Sequence, residues 1–343
     1  MPRFHLNPKG EPGPCRAEKN CPFGGPERHF SSKEEARLFY EQNQNTFTVN
    51  KYAAMTDDEL EATEVALLAE RTASKTPITD DEYDRHYEYI RRVRRSHPST
   101  HKQLTVRSKY PAERSALHDE IISELLKKYS SLPNDGKVLF VGGISGSGKS
   151  TMLRTHPELN GKDYFPSNPD LIKEKMIERS MEPKIPGLLP METDELIRFE
   201  ATVINNQLFS RISDTRKNIV VDKTLTSENQ MDKTVAELRD KGYTEFSGVF
   251  VDVDPEEAFA RIRNRHKEGI NLYLTQGVGY GGRPVPGTAI SSTRTDDGSR
   301  FRSKNGELFK KLFDKGMFPT VARVFDSSSG IEIPISEFGA ERP

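Results

Sequence analysis

One stretch constrains the fold of this chain more than any other, residues 138–151 with the sequence VLFVGGISGSGKST. Its four leading apolar residues are typical of a strand that is buried on both faces. Residues 143–150 match the pattern GxxxxGK[ST] at every fixed position, and residues 151–154 can begin a helix. A strand, a glycine-rich turn and a helix in this order predict a nucleotide-binding P-loop rather than a Gly/Ser-rich connector that matches by chance.

The residue types in this turn suit the phosphates of a nucleotide. Glycines let successive backbone N–H groups point inward around a phosphate, and the start of the following helix adds its positive dipole end. Lys149 is expected to reach the β- and γ-phosphates, and the Ser150 hydroxyl to bind Mg²⁺. ATP and Mg²⁺ are therefore the predicted cofactors. The predicted nucleotide-binding residues are Gly143, Ser145, Gly146, Ser147, Gly148, Lys149, Ser150 and Thr151.

Composition narrows the class of protein. The chain has 343 residues and a formal net charge of −1, so its charge gives no reason to expect nucleic acid as a partner. No apolar run approaches the roughly 20 residues of a transmembrane helix, and the polar, Pro/Gly-rich first residues lack the apolar middle of a secretory signal. The two cysteines, Cys15 and Cys21, cannot supply a disulfide framework, so we expect a cytoplasmic protein without membrane contact.

Three units are predicted along the chain. Residues 1–48 form a small Cys/Pro/Gly-containing module, residues 49–115 a helical hairpin and a linker, and residues 116–343 the P-loop domain. In the first unit, the gap between the two cysteines is wider than is usual in zinc sites. This favours two reduced cysteines packed in a small knot over a metal site. The candidate zinc ligands are His5, Cys15, Cys21 and His29.

The hairpin is indicated by two helix starts. The tetrapeptide TDDE occurs at 56–59 and again at 79–82, and each copy has the form of a capping box. In the second helix, Tyr83 and Tyr87 recur at helical spacing, and four arginines lie within residues 91–95. An aromatic and basic surface could stack nucleic-acid bases, but a packed helix face with a solvated basic end is the favoured interpretation.

From about residue 116 onward, segments with strand and helix patterns alternate. Such alternation implies parallel βαβ units with right-handed crossovers. The predicted fold class is therefore α/β, a doubly wound, mostly parallel sheet of the P-loop NTPase type, preceded by a helical N-terminal region. Ligands bind such sheets at the carboxyl ends of the strands. Asp222 ends one predicted strand, and Asn168-Pro169-Asp170 follows another.

Polar residues at this edge are candidates for the chemistry. A kinase that acts on an alcohol needs a carboxylate to orient the hydroxyl and accept its proton. Asp170 is the candidate, and its alternative role is to cap the following helix. Asp222 is the candidate second ligand of Mg²⁺, with a turn residue as the alternative. Thr224 could bond substrate or phosphate, or cap the next helix.

Arginines are candidates for neutralising charge on a transferred phosphoryl group. Arg261, Arg263 and Arg265 lie in one predicted helix, and Arg283 follows in the Gly/Pro-rich segment 277–287, which suits a lid that excludes water. Surface ion pairs are the favoured interpretation for Arg261 and Arg263.

Taken together, these stretches resemble the zeta toxin family of P-loop kinases, which phosphorylate UDP-N-acetylglucosamine. The resemblance spans about residues 135–330. GGISGSGKST is like the family's Walker A motif, and NPDLI before a helix is similar to the stretch that holds its catalytic aspartate. FEATVINNQLF followed by NIVVDKTL resembles the family's substrate helix and next strand. The stretches RIRNRH and GGRPVP are similar to its two arginine-bearing segments.

The resemblance implies roles for individual residues. Asp170 takes the role of the catalytic aspartate, with Lys149 beside it as the P-loop lysine. Arg265 and Arg283 are implied to contact the phosphate and complete the catalytic set.

The resemblance also places the substrate. Glu200 is implied to help hold the sugar nucleotide, and Thr224 to lie near it. An alternative alignment of the same helix puts Asn206 at the acidic position. Lys223 stands where the family usually has glycine.

The leading hypothesis is a toxin-like, ATP-dependent small-molecule kinase that phosphorylates a hydroxyl of a sugar nucleotide. Two alternatives stay open, a polynucleotide or other small-molecule kinase and a non-catalytic ATP-dependent switch. Toxic kinases of this type are commonly held off by a helical antitoxin, so an antitoxin is an expected partner, in trans or in cis through residues 1–115. In the cis case, deletion of residues 1–115 should raise turnover.

Overall fold

A computed structural model gives the structure of the chain. It describes residues 3–6, 12–15, 29–30, 52, 55–106, 109–156, 159, 161–222, 225, 227–286, 289–290, 292–295 and 299–339. Cys21, Lys223 and Thr224 lie outside the described residues. So do the side chains of the other candidate zinc ligands, His5, Cys15 and His29.

The described residues form two sheets. A small antiparallel sheet near the start of the chain has the order β2-β1-β3, and a six-stranded sheet has the order β5-β6-β4-β7-β8-β9. In the larger sheet only the pair β8–β9 is antiparallel. The strands are β1 Arg3–Leu6, β2 Pro12–Cys15, β3 His29–Phe30, β4 Lys137–Gly142, β5 Phe165–Ser167, β6 Ile219–Asp222, β7 Glu245–Asp252, β8 Val321–Asp326 and β9 Glu332–Ile333.

Helices cover both faces of the larger sheet and precede it in the chain. They are α1 Asp57–Ser74, α2 Asp80–Ser96, α3 Thr100–Leu104, α4 Ala112–Lys128, α5 Lys149–Thr155, α6 Pro169–Glu178, α7 Asp194–Ser213, α8 Glu228–Asp240, α9 Pro255–Gln276 and α10 Lys304–Asp314. A 3₁₀ turn, Pro190–Thr193, leads into α7. No helix of the described residues is long and apolar enough to cross a membrane.

Strand β4 shows why the sheet is buried on both sides. Its side chains alternate between two hydrophobic clusters, with Val138 and Phe140 in one and Leu139 and Val141 in the other. The two faces of a strand point in opposite directions, so each cluster lies on one side of the sheet. The predicted α/β class with a mostly parallel sheet and a helical N-terminal region is confirmed.

The order of the strands brings the P-loop to the point where the chain changes direction across the sheet. From β4 the chain first fills one side with β5 and β6, and then returns to fill the other side with β7 and β8. Val141 pairs with Asp222 across the β4–β6 ladder. The turn after β4 and the carboxyl end of β6 are therefore neighbours, at the position where open α/β sheets bind ligands.

The hairpin of α1 and α2 packs directly on the P-loop domain. Both helices begin with the predicted capping boxes, at Thr56 and Thr79. Apolar side chains of the hairpin share clusters with Leu189, Leu196 and Ile270 of the domain. The segment predicted as a linker contains α3, whose first residue is buried against α7.

Candidate active site

The glycine-rich turn has the backbone shape that its sequence predicts. Gly146 and Gly148 have φ angles of +82° and +89°, in the left-handed region that favours glycine. A Cβ atom on Gly146 would lie 2.5 Å from the carbonyl oxygen of Ala258. Glycine is thus required here both by the backbone angle and by the close approach of α9, and Gly148 forms the N-cap of α5.

The side chain of Lys149 folds back onto the glycine-rich turn. Its Nζ donates to the carbonyl oxygens of Gly143 and Ile144 at 2.9 and 3.2 Å and lies 4.0 Å from Asp222 Oδ1. Burial lowers the pKa of Lys149. The Asp222 carboxylate opposes this shift, and the positive charges of Arg283 and Arg265 add to it. Both arginines therefore lie within electrostatic reach of the P-loop lysine.

Asp222 and Ser150 offer the donor set expected for magnesium. Burial raises the pKa of Asp222 and the charge of Lys149 opposes the shift, while Asn168 Nδ2 donates to Asp222 Oδ2 at 3.3 Å. Ser150 is exposed at the start of α5. The described residues contain no cluster of three or more His, Cys, Asp or Glu side chains that could hold a metal alone. One carboxylate and one hydroxyl fit Mg²⁺, which takes its remaining oxygens from phosphates and water.

Asn168, and not Asp170, caps the helix that follows. Asn168 is the N-cap of α6, and its side-chain oxygen accepts from the backbone N–H of Asp170 at 2.9 Å. Asp170 is the second residue of the helix, and its side chain is 37% exposed. Its carboxylate forms ion pairs with Arg283 and with Lys173, whose Nζ lies 3.3 Å away. The capping duty therefore belongs to Asn168, which leaves the Asp170 carboxylate for other contacts.

The four arginines behave differently. Arg261 pairs with Glu257 and Arg263 with Asp84, which are the surface pairs that the sequence favours. Arg265 is exposed on α9. Burial lowers the pKa of Arg283, and the charge of Arg94 adds to this shift.

Glu200 lies in a different environment from the one that the resemblance implies. Its side chain is 0% exposed and accepts hydrogen bonds from Thr100 of α3 and from Arg114 and His118 of α4. Burial raises the pKa of Glu200, but these hydrogen bonds outweigh it and lower the value to about 2. The alternative residue, Asn206, is exposed. A substrate contact by either residue stays a prediction.

A comparison with protein-family models matches residues 122–305 to the zeta toxin family, which is more than half of the chain. The chain belongs to the zeta toxin family. This match confirms the resemblance seen in the sequence. The protein therefore belongs to the wider class of ATP-dependent, kinase-like toxins. A comparison with curated proteins finds no match.

Three solved structures contain chains that are similar to this one. One is from the PezAT chromosomal toxin–antitoxin system of Streptococcus pneumoniae, with 15% identity, coverage of 68% of this chain and 90% of that chain, and a TM-score of 0.48. A chain of AvrRxo1-ORF1:AvrRxo1-ORF2 with sulphate ions has 16% identity, coverage of 65% and 67%, and a TM-score of 0.48. The same complex with ATP gives 13% identity, coverage of 75% and 71%, and a TM-score of 0.45.

Three charged residues near Asp170 are not among the site residues predicted from the sequence. Lys173 follows Asp170 by one helical turn, a spacing at which side chains meet, so it could have been found from the sequence. Asp194 pairs with Lys173 at 3.0 Å. Arg94, which also pairs with Asp194, was assigned to a solvated end of α2. That assignment is wrong, because its side chain is 9% exposed.

A second buried cluster joins the hairpin to the P-loop domain. His86 donates from its two ring nitrogens to Glu64 and Glu192 at 2.9 and 2.8 Å. His266 Nε2 donates to the same Glu192 oxygen at 3.2 Å, and its Nδ1 accepts from the Tyr83 hydroxyl at 3.0 Å.

The charged groups of this cluster shift one another's pKa values. Burial lowers the pKa of His86, but the charge of Glu192 and the hydrogen bonds that His86 donates to both glutamates raise it to about 10. Burial raises the pKa of Glu192, and the charge and hydrogen bonds of the two histidines lower it to about 2. The pair is therefore ionised at neutral pH in a part of the protein that excludes water.

Proposed function

We propose that the protein transfers the γ-phosphoryl group of ATP to a hydroxyl of a sugar nucleotide, with UDP-N-acetylglucosamine as the acceptor. One observation supports this most strongly. A half-exposed carboxylate, Asp170, lies at the carboxyl end of the sheet between two cations, Arg283 and Lys173. The backbone N–H of Asp170 donates to Asn168, and the Asn168 side chain donates to Asp222, which lies 4.0 Å from Lys149 of the P-loop. A carboxylate beside a P-loop is what phosphoryl transfer to an alcohol needs.

In the proposed reaction, residues 143–150 bind the phosphates through backbone N–H groups, and Lys149 exchanges its two carbonyl partners for phosphate oxygens. Asp170 orients the acceptor hydroxyl and takes its proton as the oxygen bonds to the γ-phosphorus. The bond from that phosphorus to the bridging oxygen breaks, and ADP leaves. Arg265 and Arg283 neutralise the equatorial oxygens during transfer.

Magnesium would be held by Ser150 and Asp222 in this proposal. When bound, it supplies positive charge to the β- and γ-phosphate oxygens. Positioning and charge neutralisation account for most of the acceleration in such reactions, so no covalent enzyme intermediate is required.

We also propose an antitoxin as the partner of this kinase, because the acceptor is a cell-wall precursor whose loss would harm the cell that makes the protein. The antitoxin would act in trans, or in cis through residues 1–115.

The test is transfer of label from [γ-³²P]ATP to UDP-N-acetylglucosamine and to a panel of other sugar nucleotides and oligonucleotides. Labelled sugar nucleotide from the wild type and none from Asp170→Ala is the expected result. Label on an oligonucleotide alone would support the polynucleotide kinase instead. ATP binding without transfer to any acceptor, together with unchanged toxicity of Asp170→Ala in cells, would support the non-catalytic switch.

A further inference from the structure

A closed ring of polar contacts surrounds the carboxylate of Asp170, and one arm of it runs through α6 and α7. Lys173 Nζ lies 3.3 Å from Asp170 Oδ1 and donates to Asp194 Oδ2 at 3.0 Å. The other oxygen of Asp194 accepts from Arg94 Nη2 at 2.7 Å. Arg94 therefore holds Asp194 in place, and Asp194 holds Lys173, which pairs with Asp170.

The second arm runs through the arginine-bearing loop. Arg94 Nη2 also donates to the carbonyl oxygen of Pro284 at 2.6 Å, and the preceding residue, Arg283, pairs with the other carboxylate oxygen of Asp170. Tyr87, two turns earlier on α2, donates its hydroxyl to the carbonyl of Val285 at 2.9 Å. The hairpin thus holds two consecutive carbonyls of this loop.

The charged side chains that link this ring are buried, so their charges depend on one another. The side chains of Arg94, Lys173 and Asp194 are 9%, 6% and 6% exposed. Removal of one member leaves its partners as buried charges without compensation, which is costly. The residue that closes both arms comes from α2, outside residues 122–305, the segment that matches the family model.

We propose that Arg94 is a positioning residue for phosphoryl transfer, and that the helical hairpin completes the active site instead of inhibiting it. Arg94 touches neither nucleotide nor acceptor in this scheme. It sets the place of Asp170 through Asp194 and Lys173, and the place of Arg283 through the Pro284 carbonyl. This inference rests on the proposed kinase function, and it runs opposite to inhibition in cis.

The test compares three full-length variants, Arg94→Ala, Arg94→Lys and the control Arg95→Ala. Arg95 is the next residue of the same helix and is exposed. Misplacement of reacting groups by about 1 Å can cost on the order of a hundredfold in rate, so we expect Arg94→Ala to lower kcat about tenfold to a hundredfold. The KM for ATP should stay within about twofold, because the P-loop is not part of the ring. Lysine can donate to both acceptors, so Arg94→Lys should recover part of the loss.

Several kinetic outcomes would overturn the proposal. These are equal turnover in Arg94→Ala and Arg95→Ala, a rise in turnover in Arg94→Ala, or a loss that Arg94→Lys does not reduce at all. A rise would favour inhibition by the hairpin.

Hydrogen exchange separates failure of this inference from failure of the proposed function. Loss of the Arg94 contact should speed exchange in peptides that cover residues 277–286, by about tenfold over the Arg95→Ala control. If the wild type transfers phosphate to no acceptor, the kinase proposal fails, and exchange alone then decides whether Arg94 positions the loop. Unchanged exchange in Arg94→Ala would overturn that role.

Discussion

The proposed nucleotide side and the proposed acceptor side of the site are built in different ways. The nucleotide side comes from one continuous stretch, residues 138–151, and Asp222 of the neighbouring strand lies 4.0 Å from its Lys149. The acceptor side gathers Asp170, Asp194, Arg283 and Arg94 from four separate segments. A continuous motif carries its geometry with it, whereas a site gathered from distant segments has a geometry that depends on the packing of the whole domain.

The largest expected effect tests whether the two sides work separately. Asp170→Asn removes the proton acceptor, and loss of a general base costs about 10²- to 10⁴-fold in kcat, while ATP affinity should be kept. Lys149→Ala should weaken ATP binding itself. Single-turnover transfer to UDP-N-acetylglucosamine and calorimetry of ATP binding measure the two quantities. Loss of ATP binding in Asp170→Asn would show that the sides form one unit.

The next effect concerns the packing on which the acceptor side depends. Glu192→Ala removes the anion that pairs with His86 and His266 in the buried cluster, and breaking a buried ion pair costs about 3–5 kcal/mol of unfolding free energy. Urea unfolding measures this cost.

The control for that experiment lies three residues along the chain. Glu195 forms a surface pair with Arg198, and Glu195→Ala should change the unfolding free energy by at most about 1 kcal/mol. Equal losses in the two variants would mean that the buried cluster does not hold the hairpin to the domain.

The same contrast explains what could be predicted from the sequence. Strand patterns and the P-loop are local, so the α/β class and the neighbourhood of Lys149 and Asp222 followed from the order of segments. The sequence pattern predicts a helix over residues 255–267, whereas α9 runs to Gln276. Its Gly269 allows close contact with Gly282, since a Cβ there would lie 2.6 Å from the Gly282 Cα atom. This glycine serves the packing of α9 against the segment that holds Arg283.

The acceptor side could be predicted only in part. Asp170 and Arg283 were selected because they stand in recognisable motifs. The contacts of Arg94 with Asp194 and Pro284 join residues 100 and 190 positions apart, and no local pattern reports such distances. A signal was nevertheless present. Arg94 continues the helical stripe of Tyr83, Tyr87 and Ile90, so a charged residue lies on the face of α2 that is predicted to be packed.

A smaller effect would decide the role of Glu200. If Glu200 anchors α3 and α4, Glu200→Gln should lower the unfolding free energy by about 1–3 kcal/mol, because the buried donors of these helices would lose a charged acceptor. If it holds the substrate, the KM for UDP-N-acetylglucosamine should rise without a loss of stability. Asn206→Ala, at an exposed position of the same helix, is the matched variant for the alternative alignment.

The last effect is the dependence of stability on pH, and it has a fixed sign. The pKa values of Glu192 and Glu200 are lowered from 4.5 to about 2, so their stabilisation is present above pH 4.5 and lost as the pH falls toward 2. Burial lowers the pKa of His266 below 6.5, opposed by Glu192, so it adds to the loss below pH 6.5. The raised pKa of His86, about 10, gives stabilisation that is complete below pH 6.5 and lost toward pH 10.

Each proton that unfolding takes up between pH 4.5 and 2 changes the free energy of unfolding by about 1.4 kcal/mol per pH unit. Urea unfolding at a series of pH values measures this slope, and Glu200→Gln should flatten it because one titrating carboxylate is gone. The control variant Glu195→Ala, at a partly exposed position, should keep the slope of the wild type. If Glu200→Gln shifted the whole curve downward in parallel, the carboxylate would stabilise the fold through its shape and not its charge. The hydrogen bonds from α3 and α4 would then be the main contribution of this residue.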